Sequence, residues 1–557
     1  MAKKKKERRE AREVVAFITP EVALGDELRT FSGGLGVFTA AMLESAQRLN
    51  LPLVGATILP REGYYDQVLD YERVEMRAEY VKRYYEGILE DTGLIFPIKI
   101  DGADVYIKVW RPRRELYRNF ATIYFLDTDI VENASHLSRQ NTMQLYGGSF
   151  ASSGISREDM EKRKIAQSIV LGRGGVEAIR LMGNIIRLCH INESHSAFAA
   201  VELLASNDFP ERSEEEVIAR TRRQIVFTTH TPVQAGNPEY SAETVRRMCG
   251  FRGKLGNMVM RFGGSPFNMA ALALSLSSKA NAVSRKHLGV AKQMWNHLPG
   301  CPDLTYITNG ASRDFWQMPD MRDIRSAELL RNAKRRHKFN MLEWLQLETG
   351  HSLSPGAMTV VWARRFAEYK RPKLLFRDME WLREQFNARQ KLQVIVAGKP
   401  HPDDTEMVKA WNELYALSRQ IPELVVLAGY NLEMSRILKA GADLWLNTPR
   451  APNEACGTSG MSAAMNGAVN MSTPDGWMAE ADKRNFFPFG SDCARPNQDD
   501  YDLPELRHAM KQAKELFYLR HEEWEQMMLN GKFEAESHWS ADRMAQEYAE
   551  KMYGIKI

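Results

Sequence analysis

The sequence predicts an α/β protein built on two doubly wound, mostly parallel sheets. Short apolar runs that end in polar residues and glycine or proline recur along the chain, and long helical patterns separate them. The length of 557 residues exceeds one ordinary domain, and large α/β enzymes often divide such a chain into two units.

The first series opens with VVAFITPEVAL, a strand, and FSGGLGVFTAAMLESAQRL, in which Gly33, Gly34 and Gly36 precede a helical period. Glycines at such a junction let the backbone turn tightly and approach a ligand, while the first N–H groups of the helix face it. LPLVGATIL follows as a buried strand, and NIIRLCHINESH, QIVFTTHTPV, ANAVSRKH and LTYITNGASRDFW repeat the habit. The second series is MTVVWARRFAEYKRP, LQVIVAGKPHPDD, LVVLAGYNLEM and ADLWLNTPRAPNEACGTSG, read as four strands with crossover helices. In such sheets ligands bind beyond the carboxyl ends of the strands, where these polar tips lie. The expected division is a basic, mobile tail over 1–13, a first unit over 14–320, a second over 321–530, and a C-terminal segment over 531–557. In that last segment Ser540 caps a helix that carries Met544, Tyr548 and Met552.

Composition narrows the function. Hydrophobic residues at 44% and charged residues at 26% fit a globular protein, and a net charge of +4, partly in MAKKKKERREAR, leaves no electrostatic footprint for nucleic acid. No stretch reaches the about 18 apolar residues of a membrane span, and no apolar signal follows the basic start. Cys189, Cys249, Cys301, Cys456 and Cys493 are odd in number and scattered, so no metal site is read and a reducing cytoplasm is the expected compartment.

Two stretches suit a phosphate. Arg364, Arg365, Lys370 and Arg371 cluster where a strand meets a helix, and a bent loop would bring Arg365 and Lys370 to one anion. A solvated charged face is the alternative. In EACGTSGMS, Gly457 and Gly460 expose N–H groups, Thr458 and Ser459 add hydroxyls, and a helix starting near Met461 adds its dipole; a tight turn without ligand is the alternative. Glu454 is placed to orient sugar hydroxyls, and His230 and Asn309 stand at strand tips. Neither a carboxylate pair for glycoside hydrolysis nor a Walker or nicotinamide fingerprint can be singled out.

Together SGGLG, CHINESHSAFAAVELL, FTTHTP, ITNG, RRFAEYKRP, AGKPHPDD, EACGTSGM and MNGAVNMSTPDGW resemble the α-glucan (glycogen, starch and maltodextrin) phosphorylase family in its short bacterial and archaeal form, in order, from about residue 15 to the end. The resemblance implies the GT-B architecture: two Rossmann-like lobes, an active-site cleft between them, and a C-terminal helix crossing back to the first. It implies that His230 faces the transferred glucosyl unit, Asn309 holds its 6-hydroxyl, and Glu454, with the backbone of Cys456 and Gly457, holds the 3-hydroxyl. It implies that Tyr369 meets the 2-hydroxyl, that Arg365 and Lys370 bind phosphate, and that the Gly33, Gly34 and Gly36 loop faces it. Homodimers are common in the family.

The departure is Ser462. In the family the eighth residue after the glutamate is the lysine that binds pyridoxal phosphate (PLP) as an imine, which a hydroxyl cannot form; Lys439 and Lys483, the nearest lysines in sequence, are not expected to substitute. The resulting expectation is a PLP-independent retaining hexosyltransferase with no covalent cofactor. It would use a nucleotide-sugar donor and a carbohydrate acceptor such as an α-glucan, with Ser462 meeting a ribose hydroxyl. The alternatives are a phosphorylase with non-covalent PLP and a noncatalytic carbohydrate-binding homologue.

Overall fold

The computed structural model describes residues 12–149 and 154–557. Most of the basic tail lies outside the described residues. The first strand already begins at Arg12, two residues earlier than the expected tail boundary, because Arg12 and Glu13 pair with Asn184 and Ile185.

Two separate sheets organise the chain. Across the first, the strands run Leu304–Tyr306, Lys279–Ala282, Ile225–Thr228, Asn184–Asn192, Arg12–Ile18, Leu53–Ile58, Ile123–Asp127, Ala103–Pro112 and Leu89–Ile100. All neighbours are parallel except at one edge, where Ala103–Pro112 pairs antiparallel on both sides. Across the second, the order is Leu424–Leu427, Leu392–Ala397, Met358–Ala363, Leu444–Asn447, Val469–Ser472 and Phe486–Pro488, parallel throughout. This sheet has six strands where the sequence suggests four. VNMS and FFP are too short to stand out as apolar runs, and form because each extends an existing parallel edge.

Strand order fixes where a ligand can sit. In the first sheet the chain winds outward from Arg12–Ile18 through Leu53–Ile58, then returns to place Asn184–Asn192 on the other side. In the second, Met358–Ala363 has Leu392–Ala397 on one side and Leu444–Asn447 on the other. Both are points where the winding direction reverses, and the loops beyond their carboxyl ends diverge to leave a crevice. Beyond these ends lie Glu21, Glu193, Arg364 and Arg365, and Thr448. The strands are apolar on both faces, as parallel strands covered by helices must be: Met358–Ala363, Leu392–Ala397 and Leu444–Asn447 are buried throughout.

The two sheet regions touch directly. Tyr65 donates to the Pro400 carbonyl at 2.6 Å, and both Asp26 oxygens accept from the first N–H groups of helix Leu432–Gly441, at 3.0 Å from Leu432 and 2.9 Å from Glu433. The chain end packs on the first sheet. Ser540 caps helix Ala541–Glu547, and Met544, Tyr548 and Met552 join a core with Phe17, Phe38 and Phe125. His190 is the polar anchor there: one ring nitrogen lies 2.7 Å from the Tyr553 hydroxyl and the other 2.8 Å from Thr228 Oγ1. Among the described residues, no helix is long and apolar enough to cross a membrane, and the five cysteines are free.

Arg371, which clusters in sequence with Arg364, Arg365 and Lys370, faces another way. Its backbone is left-handed, at φ 50°, and turns the side chain away from the crevice to Asp502 at 2.7 Å, Asp499 at 3.2 Å and the carbonyls of Thr448 and Pro449. It ties the loop before it to helix Gln498–Leu519. Arg371→Met leaves the buried Asp502 carboxylate without its cation, and a loss of about 3–5 kcal/mol in denaturant unfolding is expected. A loss below about 1 kcal/mol would show that this arginine holds nothing together.

Candidate active site

Strand Met358–Ala363 ends in Arg364, and a short 3-10 turn at Glu368–Lys370 bends the chain back, the bent loop that the two cations require. Thr448 holds this bend by donating to the Lys370 carbonyl at 2.6 Å. The Lys370 ammonium thereby reaches the Glu454 carboxylate in a close ion pair, and Arg364 Nη1 reaches it at 3.4 Å. Arg364 Nη2 also donates to Ser459 Oγ at 3.3 Å, while its Nε is buried without a partner. Arg365 hydrogen-bonds Tyr369, whose ring lies 4.9 Å from the Lys370 ammonium. Arg365 is accessible to water yet walled by protein on most sides, as a residue in a wet crevice should be.

Burial alone would raise the Glu454 carboxyl, but Lys370, Arg364 and Arg365 outweigh it and hold the group below the usual carboxylate range. The backbone of Glu454 is fixed by Asp475, which accepts its N–H at 2.9 Å and that of Gly476 at 2.9 Å. Gly457 follows at φ 89°, a conformation that needs glycine, and starts the turn into helix Ser459–Met465. The helix begins two residues before Met461 because Thr458 is already helical. Gly460 answers to packing: a Cβ there would stand 2.7 Å from Asn470 Oδ1 and 3.1 Å from the Trp477 ring.

Across from this cluster lies the glycine loop. Gly33 and Gly34 face open space, and a Cβ on either would meet nothing within 4 Å. Gly33 has an extended φ of −170° and caps helix Gly34–Arg48 without a side-chain bond, so its N–H groups remain presented. Neither packing nor conformation demands glycine at these two positions, whereas close approach of a ligand would. Gly36 is different, with its would-be Cβ 2.5 Å from Phe31. Glu21 holds the loop by accepting the Ser32 N–H, and interacts with Tyr146 and Arg365. Burial raises the Glu21 carboxyl despite them.

His230 is locked in one orientation. Its backbone N–H donates to Glu193 Oε2 at 2.9 Å, and the ring Nε2 lies 2.8 Å from Asn192 Oδ1, while the Asn192 amide nitrogen donates to Thr19. Asn192 therefore acts as acceptor and places the ring proton on Nε2. Glu193 adopts φ 73°, a rare conformation for a non-glycine residue, held by bonds from Ser194, His230 and Thr231. Asn309 is buried and its Oδ1 lacks a partner. Beside Tyr146 a cavity of about 490 Å³ is lined by Lys164, Gln167, His195, Asn237 and Glu239. His195 Nδ1 and Asn237 Oδ1 are buried there without partners. Unmet polar atoms on a cavity wall are suited to hydroxyl-rich ligands. Cys456 sits in the apolar cluster with Met461 and Trp477.

Ser462 is the residue expected to meet a ribose hydroxyl. It is 1% exposed, and its hydroxyl turns back to the carbonyls of Thr458 at 3.2 Å and Ser459 at 3.1 Å within its own helix. Sequence distance sets Lys439 aside, but helix Leu432–Gly441 packs beside the Ser462 helix, and the Lys439 ammonium lies 3.2 Å from the centroid of the Trp316 ring. The Trp316 carbonyl and the Ser462 carbonyl share one donor, Asn466 Nδ2, at 2.9 Å each. Lys483 is exposed. Sequence reading missed Glu21, Asn192, Glu193, Tyr146 and Asp475 as individual site residues. All but Tyr146 lie in motifs it did mark, ITPE, INESH and TPDGW. Among the described residues, no group of three His, Cys, Asp or Glu is placed to hold a metal ion.

Burial holds His190 near 3 and His230 and His287 near 4, from an ordinary 6.5. The unfolded chain takes up these protons below 6.5 while the folded chain refuses them, so stability falls as pH drops through that window. Tm is expected to fall by at least roughly 2–4 °C between about pH 7 and about pH 5. An unchanged Tm would mean that these rings protonate in place.

A family model for carbohydrate phosphorylases matches residues 317–499. An uncharacterized protein of Methanocaldococcus jannaschii is 36% identical, over 97% of this chain and 99% of its own. Maltodextrin phosphorylase of Thermococcus litoralis is 28% identical and glycogen phosphorylase of Mycobacterium tuberculosis 30% identical, each over 97% of this chain and 70% of the relative. With this likeness along nearly the whole chain, and the crevice residues in their family motifs, the protein belongs to the carbohydrate phosphorylase family.

Proposed function

We propose that the protein is a retaining hexosyltransferase that moves a glucosyl unit between an α-glucan and phosphate, in the manner of an α-glucan phosphorylase with GT-B architecture. The observation that carries this reading is the convergence of Arg364, Arg365 and Lys370 beside one carboxylate, with a glycine loop presented to them that the protein's own packing does not require. The two matched enzymes with named activities are phosphorylases of maltodextrin and glycogen.

In this reading the glucan chain lies in the cavity beside Tyr146, where His195 and Asn237 take its hydroxyls. The terminal glucosyl ring lies between His230, Asn309 and Glu454. Neutral His230 orients the ring without placing a cation beside it, and Asn309 Oδ1 accepts a hydroxyl. Inorganic phosphate is held by Arg365 and Lys370, with the Gly33–Gly34 N–H groups alongside. The glycosidic C1–O bond breaks, the departing glucan oxygen takes a proton from the phosphate, and a phosphate oxygen bonds to C1 on the same face. Cations fixed in advance stabilise the negative charge with little reorganisation.

A nucleotide-sugar donor, the expectation drawn from Ser462, would meet that hydroxyl as an acceptor, since its one proton is given to a nearby backbone carbonyl. The residues also fit PLP. Arg364 Nε and Arg436 Nε are buried without partners, as a phosphate-bearing ligand requires, and Trp316 and Phe315 offer aromatic faces. When bound, that group supplies a second phosphate beside the substrate phosphate. A cytoplasmic homodimer belongs to the same reading.

Purified protein given maltodextrin and phosphate is expected to release sugar 1-phosphate. Release of nucleoside diphosphate from a sugar nucleotide, with none from phosphorolysis, would restore the nucleotide-sugar reading, and saccharide binding without either product would mark a noncatalytic homologue. Arg365→Ala or Lys370→Ala is expected to cut the rate about 10²–10³-fold. Full activity in both would remove phosphate from this site.

A further inference from the structure

A second cavity, of about 760 Å³, adjoins the one beside Tyr146, and Gln234 and Glu239 line both. One of its walls is helix Glu214–Arg223, which spends Val217 and Thr221 on the core and presents Glu215, Ile218, Ala219 and Arg222, at i, i+3, i+4 and i+7, to the cavity. The other walls are Ala271 and Ser275 of helix Met269–Ser275, the Phe262 ring and the turn from Trp295 to Gly300. Most of this lining is apolar.

Two polar groups on it are unmet. Arg222 is half-buried, and its Nε donates to the Ser275 carbonyl at 2.8 Å. A Cβ on Gly300, where φ is 78°, would stand 2.1 Å from Arg222 Nη2, so the turn is shaped around the guanidinium. Elsewhere such guanidiniums face carboxylates, Arg61 with Asp127, Arg173 with Glu202 and Arg371 with Asp502. Arg222 faces none among the described residues: burial holds it below the ordinary guanidinium range, and no carboxylate offsets that cost. Trp295 is 2% exposed, and its Nε1 is buried without a partner. Both groups only donate.

The acceptors around them are in use. Arg222 takes the Ser275 carbonyl, the Ala271 N–H takes Asn268 Oδ1 at 2.9 Å, and Glu239 Oε1 receives the amides of Asn268 at 3.0 Å and Gln234 at 3.4 Å. Glu215 is exposed at the rim. A hydroxyl-rich ligand needs acceptors as well as donors, whereas an anionic head group needs donors alone.

We propose that this cavity is a second ligand site, one that takes an organic carboxylate with an apolar body. The head group is held by Arg222 and the Trp295 N–H, and the body lies against Ile218, Phe262 and Leu298. Gln234 opens the short turn Gln234–Gly236, so the bound ligand rests against a segment that also walls the Tyr146 cavity. The site is distinct from the phosphate cations and stands whether or not the proposed activity does.

The test titrates naphthoate into the full chain by calorimetry, with naphthalenemethanol as its uncharged analogue. The expected result is about one saturable site per chain, weakened about 10–100-fold in Arg222→Gln and by the use of the alcohol. Ala219→Trp, which fills the cavity from an exposed helix position, is expected to abolish it. Equal binding in the unaltered chain and both variants, or no binding at all, overturns the proposal. So does equal affinity for acid and alcohol, which would leave the cavity an apolar hollow. Naphthoate binding that is lost in Arg365→Ala and kept in Arg222→Gln would put the anion in the crevice and overturn it too. If Arg222→Gln fails to fold, Ala219→Trp and the alcohol decide.

Discussion

Burying the Glu454 carboxylate is costly unless cations and donors surround it, and much of the second sheet's loop structure serves to bring them there. Lys370 reaches it because a 3-10 turn folds back and Thr448 holds the turn; Arg364 reaches it from the end of the central strand. Asp475 receives the backbone N–H groups of Glu454 and of its own neighbour Gly476, and burial pushes its own carboxyl up to about 7. The cluster carries more positive than negative charge, with Arg365 at its wet edge. The proposed phosphate would complete that charge arrangement.

The first sheet contributes what cations cannot. Its tips supply a neutral histidine fixed by Asn192 and Glu193, an amide oxygen on Asn309 without a partner, and a glycine loop braced by Glu21. Contacts such as Tyr65 to Pro400 and Asp26 to the Leu432 helix set the two groups of tips against each other. The chain end reinforces the first group, since Tyr548 and Tyr553 bond to Thr228, Asn281 and His190 beneath the same strand ends.

The fold was largely legible because fully buried parallel strands leave unbroken apolar runs, as in MTVVWA and LQVIVA. Phe486–Pro488 escaped for want of length, and the antiparallel edge at Leu89–Pro112 because its residues alternate between buried and exposed. Arg365, Lys370, Glu454, His230 and Asn309 were legible through motifs. Asp475, Asn192 and Glu21 act by fixing another residue, a role that appears only when the backbone bonds are seen. That helix Leu432–Gly441 packs beside the helix of Ser462 was not legible, because sequence separation says nothing about which helices meet.

The most direct test of this account is calorimetric titration of inorganic phosphate into the protein and into its Arg365→Ala variant. Saturable binding that weakens with salt, and weakens about 10–100-fold further in the variant, is the predicted result. Equal affinity in the two proteins, or no binding in either, would contradict a crevice built to hold phosphate.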